Sequence, residues 1–205
     1  VSVAEEMDLI VALDWMMLEQ VCAFFGAHRE LDGCAVSVNF SARQFLAPDA
    51  ERRVLDTLER HGLAPTRLKL ELTERVLAGD IRRVRAVMEA LAARGVEFYL
   101  DDFGTGYSNL SSVVSLPLQY VKVDRSLLEA ATNGGGGALL LRAVVETFRA
   151  MGRGILLEGV ETPEQYALAC TLRADRLQGY YLARPMPGEE LCALMRSGAR
   201  RTRRT

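Results

Sequence analysis

The chain has 205 residues, 49% hydrophobic and 25% charged, with a formal net charge of −2. These are the values of one well-buried globular domain, long enough for a single large barrel. The near-neutral balance gives no electrostatic case for a nucleic-acid polymer as the main partner.

In chain order, a helix is expected over roughly residues 3 to 26, followed by a strand in CAVSVNF (34–40). The amphipathic stretch PDAERRVLDTLERHG reads as a helix closing on glycine, and RLKLELT (67–73) as the next strand. DIRRVRAVMEALAARG repeats the helical pattern before the strand EFYLDDF (97–103). That strand ends on Asp101 and Asp102, just ahead of a turn holding Gly104 and Gly106. A further strand is expected in YVKVDRS (120–126), and NGGGG (133–137) reads as a flexible loop before the helix ALLLRAVVETFRAMG. GILLEGV (154–160) and LQGYYLA (177–183) complete six strands. The end of the chain, 196–205, reads as a disordered arginine-rich tail.

Strand–helix alternation with nearly continuous apolar strands implies an α/β fold with a parallel sheet covered by helices. A closed barrel needs eight strands, so six leave two readings open. One is a barrel with its first two strands upstream of Val1; the other is a doubly wound open sheet. The cysteines Cys22, Cys34, Cys170 and Cys192 are far apart, with no C-x-x-C, and are expected to be reduced, mostly buried thiols of a cytoplasmic domain. No apolar run is expected to approach a membrane span, and no signal peptide is visible. Because the first residue is valine, the sequence reads as a fragment, and the parent protein stays open to membrane anchoring.

Polar residues stand near the C-terminal end of every strand: Asn39, Glu71, Asp101 with Asp102, Lys122 with Asp124, Glu158 and Gln178. In a parallel α/β sheet these ends share the face that carries chemistry. Two adjacent carboxylates at the end of a buried strand repel one another and lose hydration, so a positive partner is required. The only histidines, His28 and His61, lie away from the strand ends. An all-oxygen donor set suits Mg²⁺ or Mn²⁺ rather than zinc or copper, and two ions sharing Asp101 would fit a phosphodiester displacement. Each residue also has an ordinary reading. Asn39 before SARQF fits a helix cap, Glu71 fits one less well, and Lys122 fits an edge position reaching solvent.

The blocks VSVNFSARQF, LKLELTE, LDDFGTGYSNL, VKVDRSLL, LEGVET and LQGYYLARPMP together resemble the EAL domains, bacterial phosphodiesterases that linearise cyclic di-GMP. The resemblance runs along nearly the whole chain. It implies a modified (β/α)8 barrel with one antiparallel strand, over residues 1–195. It implies Asn39, Glu71 and Asp101 as ligands of one Mg²⁺ or Mn²⁺ ion, and Asp101, Asp102 and Glu158 as ligands of the other. Lys122 would orient the attacking water or stabilise the phosphorane charge, with Glu158 as general base. Gln178 would hold water or substrate, and Asp124 would support the lysine or the second ion. Glu74 would tie down the loop 103–109, which in the family couples the metal site to a dimer interface. A homodimer and an upstream sensor or diguanylate cyclase-like domain are the partners so implied. The Glu-Ala-Leu signature itself is not in the sequence, which is read as N-terminal truncation, and Leu157 stands where the family usually has alanine. The alternative function is a catalytically inactive cyclic di-GMP receptor, for which the unseen glutamate is the discriminating feature.

Overall fold

The computed structural model describes residues 9–73, 80–105 and 110–197, with the backbone alone for 110–112. Six strands are described: β1 (Val36–Asn39), β2 (Leu68–Thr73), β3 (Glu97–Phe103), β4 (Tyr120–Val123), β5 (Gly154–Leu157) and β6 (Arg176–Leu177). Every adjacent pair is parallel, and the order across the sheet is the order in the chain. A doubly wound sheet reverses its order at a switch point, and this one never does. The sheet is the curled wall of a half-barrel, and the open-sheet reading falls on that observation. The antiparallel strand implied by the resemblance is not among the described strands.

Helices alternate with the strands: α1 (Ile10–Ala27), α2 (Ala50–Arg60), α3 (Ile81–Ala93), α4 (Leu110–Ser115), α5 (Arg125–Thr132), α6 (Gly137–Ala150), α7 (Pro163–Thr171) and α8 (Gly188–Arg196). Successive side chains of a strand point to opposite faces, and here the two faces differ in chemistry. On the outer face, Leu68, Leu70, Leu72, Phe98, Leu100, Val121, Val123, Ile155 and Leu157 form one core with the helices. The alternate positions Lys69, Glu71, Tyr99, Asp101, Tyr120 and Lys122 form an inner, largely polar face. Low on that face Lys69 pairs with Glu97 at 2.9 Å, and the Arg176 guanidinium lies 4.3 Å from the Tyr120 ring centre. The residues of the site occupy the upper layer of the same face.

The structure departs from the expectations at one helix and at the ends of three strands. Helix α1 is long and apolar enough, by length and composition, to cross a membrane, contrary to the expectation from the sequence. Its Trp15, Leu18 and Cys22 are in the core, and Glu19 pairs with Arg60 of α2 at 2.8 Å, so the helix covers the sheet. The strand expected over 120–126 stops at Val123, because Asp124 caps α5 by accepting from the Ser126 N–H at 2.9 Å. The strands expected over 154–160 and 177–183 also stop early. Their chains fold against each other instead: the Val160 N–H donates to the Gln178 carbonyl, and a Cβ on Gly179 would lie 2.2 Å from the Val160 oxygen. Only glycine permits that approach.

Candidate active site

The adjacent pair Asp101–Asp102 cannot face one site in a regular strand, where neighbours alternate. The register of β3 on β4 shifts between Leu100 and Phe103, and Asp102 takes a left-handed φ of 57°. A bulge of this kind re-aims a side chain at the rim of a sheet. It brings ligand oxygens of Asp101, Asp102 and Glu158 within 4.8 Å of one another. The bulge is held by the Asp102 N–H donating to Asp101 Oδ1 at 3.1 Å, and by Thr105, whose hydroxyl donates to the Asp102 carbonyl.

The positive partner that the sequence demanded is Lys122. Its ammonium, 4% exposed, lies 2.6 Å from Glu71, 2.7 Å from Asp101 and 2.8 Å from Glu158. Three donors meet three carboxylates, so the ammonium is saturated. Burial works against its charged form, but the fields of Glu71 and Asp101 outweigh that and raise its pKa. Burial also raises the pKa of Glu158; the Lys122 hydrogen bond opposes the rise, while Asp101 and Glu71 reinforce it. Four carboxylates against one ammonium leave the cluster net negative. Hard oxygen donors around a negative cleft suit a divalent cation of the Mg²⁺ or Mn²⁺ class, so the residues fit such an ion.

The other expected residues fall at graded distances from this centre. Asn39 ends β1 directly opposite Glu71 in the register, and the Phe40 N–H donates to the Glu71 carbonyl at 2.8 Å. Gln178 lines, with Glu158, a cleft of about 470 Å³. Asp124 uses Oδ1 on the backbone N–H and hydroxyl of Ser126, at the head of α5. Glu74 lies outside the described residues.

The cleft also holds residues that reasoning on strand ends passed over: Arg125, Glu161, Tyr180 and Arg184. Arg125 is fixed by Glu161 at 2.7 Å and by Glu129, one turn along α5. Arg184 stacks 4.8 Å from the Tyr180 ring centre. Two guanidinium groups and an aromatic ring beside the acidic cluster offer contacts for phosphate and for a planar base. Their sequence signal was position: each follows a strand end by a few residues, in VKVDRS, EGVE and QGYYLARP.

A family model described as "EAL domain" matches residues 1–185. The chain is 35% identical, over 93% of its length, to "Bifunctional diguanylate cyclase/cyclic di-GMP phosphodiesterase MucR" of Pseudomonas aeruginosa. It spans 28% of that protein's length, and 23% and 24% of two further curated relatives. Among solved structures it resembles "PaMucR Phosphodiesterase, c-di-GMP complex" at 36% identity and a TM-score of 0.83, covering 93% of this chain and 78% of that one. It also resembles the Klebsiella pneumoniae BlrP1 manganese/cy-diGMP complex at pH 6, at 27% identity and a TM-score of 0.75, covering 83% of this chain and 43% of that one.

Proposed function

The chain belongs to the EAL domain family, and from that premise we propose that it hydrolyses cyclic di-GMP to linear pGpG with the help of two Mg²⁺ or Mn²⁺ ions. The observation that carries this reading is the buried Lys122 ammonium joining Glu71, Asp101 and Glu158 at the strand ends. Asn39, Glu71 and Asp101 would hold one ion, and Asp101, Asp102 and Glu158 the other. Bound there, the ions supply positive charge to the phosphodiester and lower the pKa of the attacking water.

The residues then divide the work. Glu158, whose carboxylate prefers its protonated form more than an exposed one does, accepts the proton of the water that attacks phosphorus. The P–O3′ bond breaks, the 3′ oxygen leaves and takes a proton from solvent, Glu158 later loses its own proton to solvent, and the phosphate stays on the 5′ side, which gives pGpG. Lys122 keeps its charge throughout, and through its field, with its three donors on the carboxylates, it favours the negative charge that builds on the phosphoryl oxygens. Gln178, on the cleft wall beside Glu158, positions water or substrate. Arg125 and Arg184 hold the second phosphate, and the Tyr180 ring receives a guanine. A cytoplasmic setting, an upstream sensor or cyclase-like domain, and a homodimer formed by the segment after β3 belong to the same reading.

The test is hydrolysis of cyclic di-GMP by the protein at its natural length with Mn²⁺, with products separated by chromatography and Glu158→Gln as control. Linear pGpG from the parent alone supports the proposal. Binding without hydrolysis replaces the enzyme with a receptor, and absence of binding removes both.

A further inference from the structure

Asp14 is a carboxylate in the middle of α1, 7% exposed, and nothing in the proposed chemistry uses it. A buried carboxylate is tolerated only where hydrogen bonds compensate it. Here Oδ2 accepts from the Ser41 N–H at 2.9 Å and from Gln44 Nε2 at 3.1 Å. The same Gln44 amide donates to the Val11 carbonyl at 2.9 Å, which ties the turn to α1 a second time. Next to Asp14, the Trp15 ring packs edge-on against Phe40 at 5.1 Å, and Phe40 packs against Phe45 at 5.3 Å. Two consecutive residues of the helix therefore clamp two consecutive residues of the turn, Phe40 and Ser41.

That turn begins at Asn39. On its β2 side the chain is held by the Phe40 N–H on the Glu71 carbonyl. On its α1 side it is held by Asp14 and Trp15. Both anchors fall within two residues after Asn39, which is itself exposed at the strand end rather than packed in the core. An unpacked ligand keeps its direction only through the backbone that carries it. We infer that Asp14 is a positioning residue for the metal site, aiming Asn39 by anchoring the Ser41 N–H two residues downstream. The inference rests on the reading of Asn39 as a metal ligand.

The test measures Mn²⁺ affinity by electron paramagnetic resonance on the purified protein at its natural length, with no nucleotide present. Asn39→Ala identifies the affinity that depends on the amide. Asp14→Ala is expected to weaken that same affinity by about tenfold, the low end for groups that orient a ligand from outside the first layer. Asp14→Asn keeps a carbonyl acceptor for the Ser41 N–H and is expected to stay within about twofold of the parent. Cys22→Ala loosens the same helix two turns away and is expected to lower thermal stability with Mn²⁺ affinity unchanged. If Asp14→Ala fails to fold, Ser41→Pro reads the same contact. It removes the N–H donor together with the buried hydroxyl, at a φ of −71° that proline adopts, and Ser41→Ala, which keeps the N–H, isolates the hydroxyl's share. Parent-like affinity in the variant that breaks the contact overturns the inference, as does an equal loss in Cys22→Ala. Parent-like affinity in Asn39→Ala removes the premise, and the inference with it. That last outcome is distinguishable because Asn39→Ala is read independently of Asp14.

Discussion

At the residue scale, Lys122 decides more than any other side chain. Its ammonium neutralises part of a group of carboxylates that would otherwise repel one another in a buried site. Removing one partner of such a group leaves the others buried and unpaired, which costs about 3–5 kcal/mol. Lys122→Met is therefore expected to lower stability by that order in a chelator, as measured by urea unfolding, and by clearly less in saturating Mn²⁺. The same variant is expected to lose about 10²-fold or more in kcat, because the field of the ammonium favours charge that develops in the transition state. Near-parent turnover would reassign Lys122 to a purely structural role. The cysteines make a separate test. Burial pushes the Cys22 thiol up to about 11, whereas Cys170 is exposed. At pH 8 only about one Cys22 in a thousand carries the reactive thiolate. A thiol-reactive dye should label Cys170 in the folded protein and reach Cys22 only in denaturant. A raised pKa favours the folded state below the unfolded value near 9, and that contribution fades as pH climbs through about 11.

At the scale of elements, the strands were legible because β-branched and aromatic runs alternate with amphipathic stretches: five of the six expected segments contain a strand, and the sixth, 177–183, meets β6 only at Leu177. Their ends were less legible. EGV and GYYLA have the composition of strands, but the backbone of one turns against the backbone of the other at Val160 and Gly179. A contact between residues so distant in the chain leaves no local trace in the sequence. The same holds within the site. Asp101, Asp102, Lys122 and Glu158 were found because strand ends share a face, while Asp14 was hidden in a helix whose pattern shows only that it is apolar. Helix α7 carries the next prediction. Thr162 Oγ1 accepts from the Gln165 N–H at 3.2 Å, and Gln165 Oε1 accepts in turn from Glu161 and Thr162. This reciprocal cap fixes the chain just after Glu158, so it serves both the helix and the cleft. Thr162→Ala should cost about 1 kcal/mol in urea unfolding. Thr162→Ser should recover most of it, and equal stability of all three proteins would show that the cap is idle.

At the scale of the whole molecule, the site exists only when the sheet is closed up in order. Its carboxylates come from β2, the bulge of β3 and the end of β5, and its ammonium from β4. Between Glu71 and Glu158 the described chain passes through four helices and three complete strands of the wall. The unfolded chain cannot reproduce that donor set, so an ion that binds there binds the folded state alone. By mass action the folded state gains about 2.7 kcal/mol when free ion stands at a hundred times its dissociation constant. For a chain of this size, each kcal/mol moves the melting temperature by about 2–4 °C. Mn²⁺ is accordingly expected to raise Tm by roughly 5–10 °C in scanning calorimetry. The rise should grow with the logarithm of free Mn²⁺ and reverse on chelation. Asp101→Asn removes a carboxylate common to both proposed ions, so it should flatten the dependence while leaving the fold in place. Ca²⁺, whose oxygen preference is similar but whose fit is looser, should give a smaller rise at equal concentration. A Tm that ignores Mn²⁺ would mean that the acidic cluster is held by Lys122 alone, and the hydrolytic reading would lose its metal.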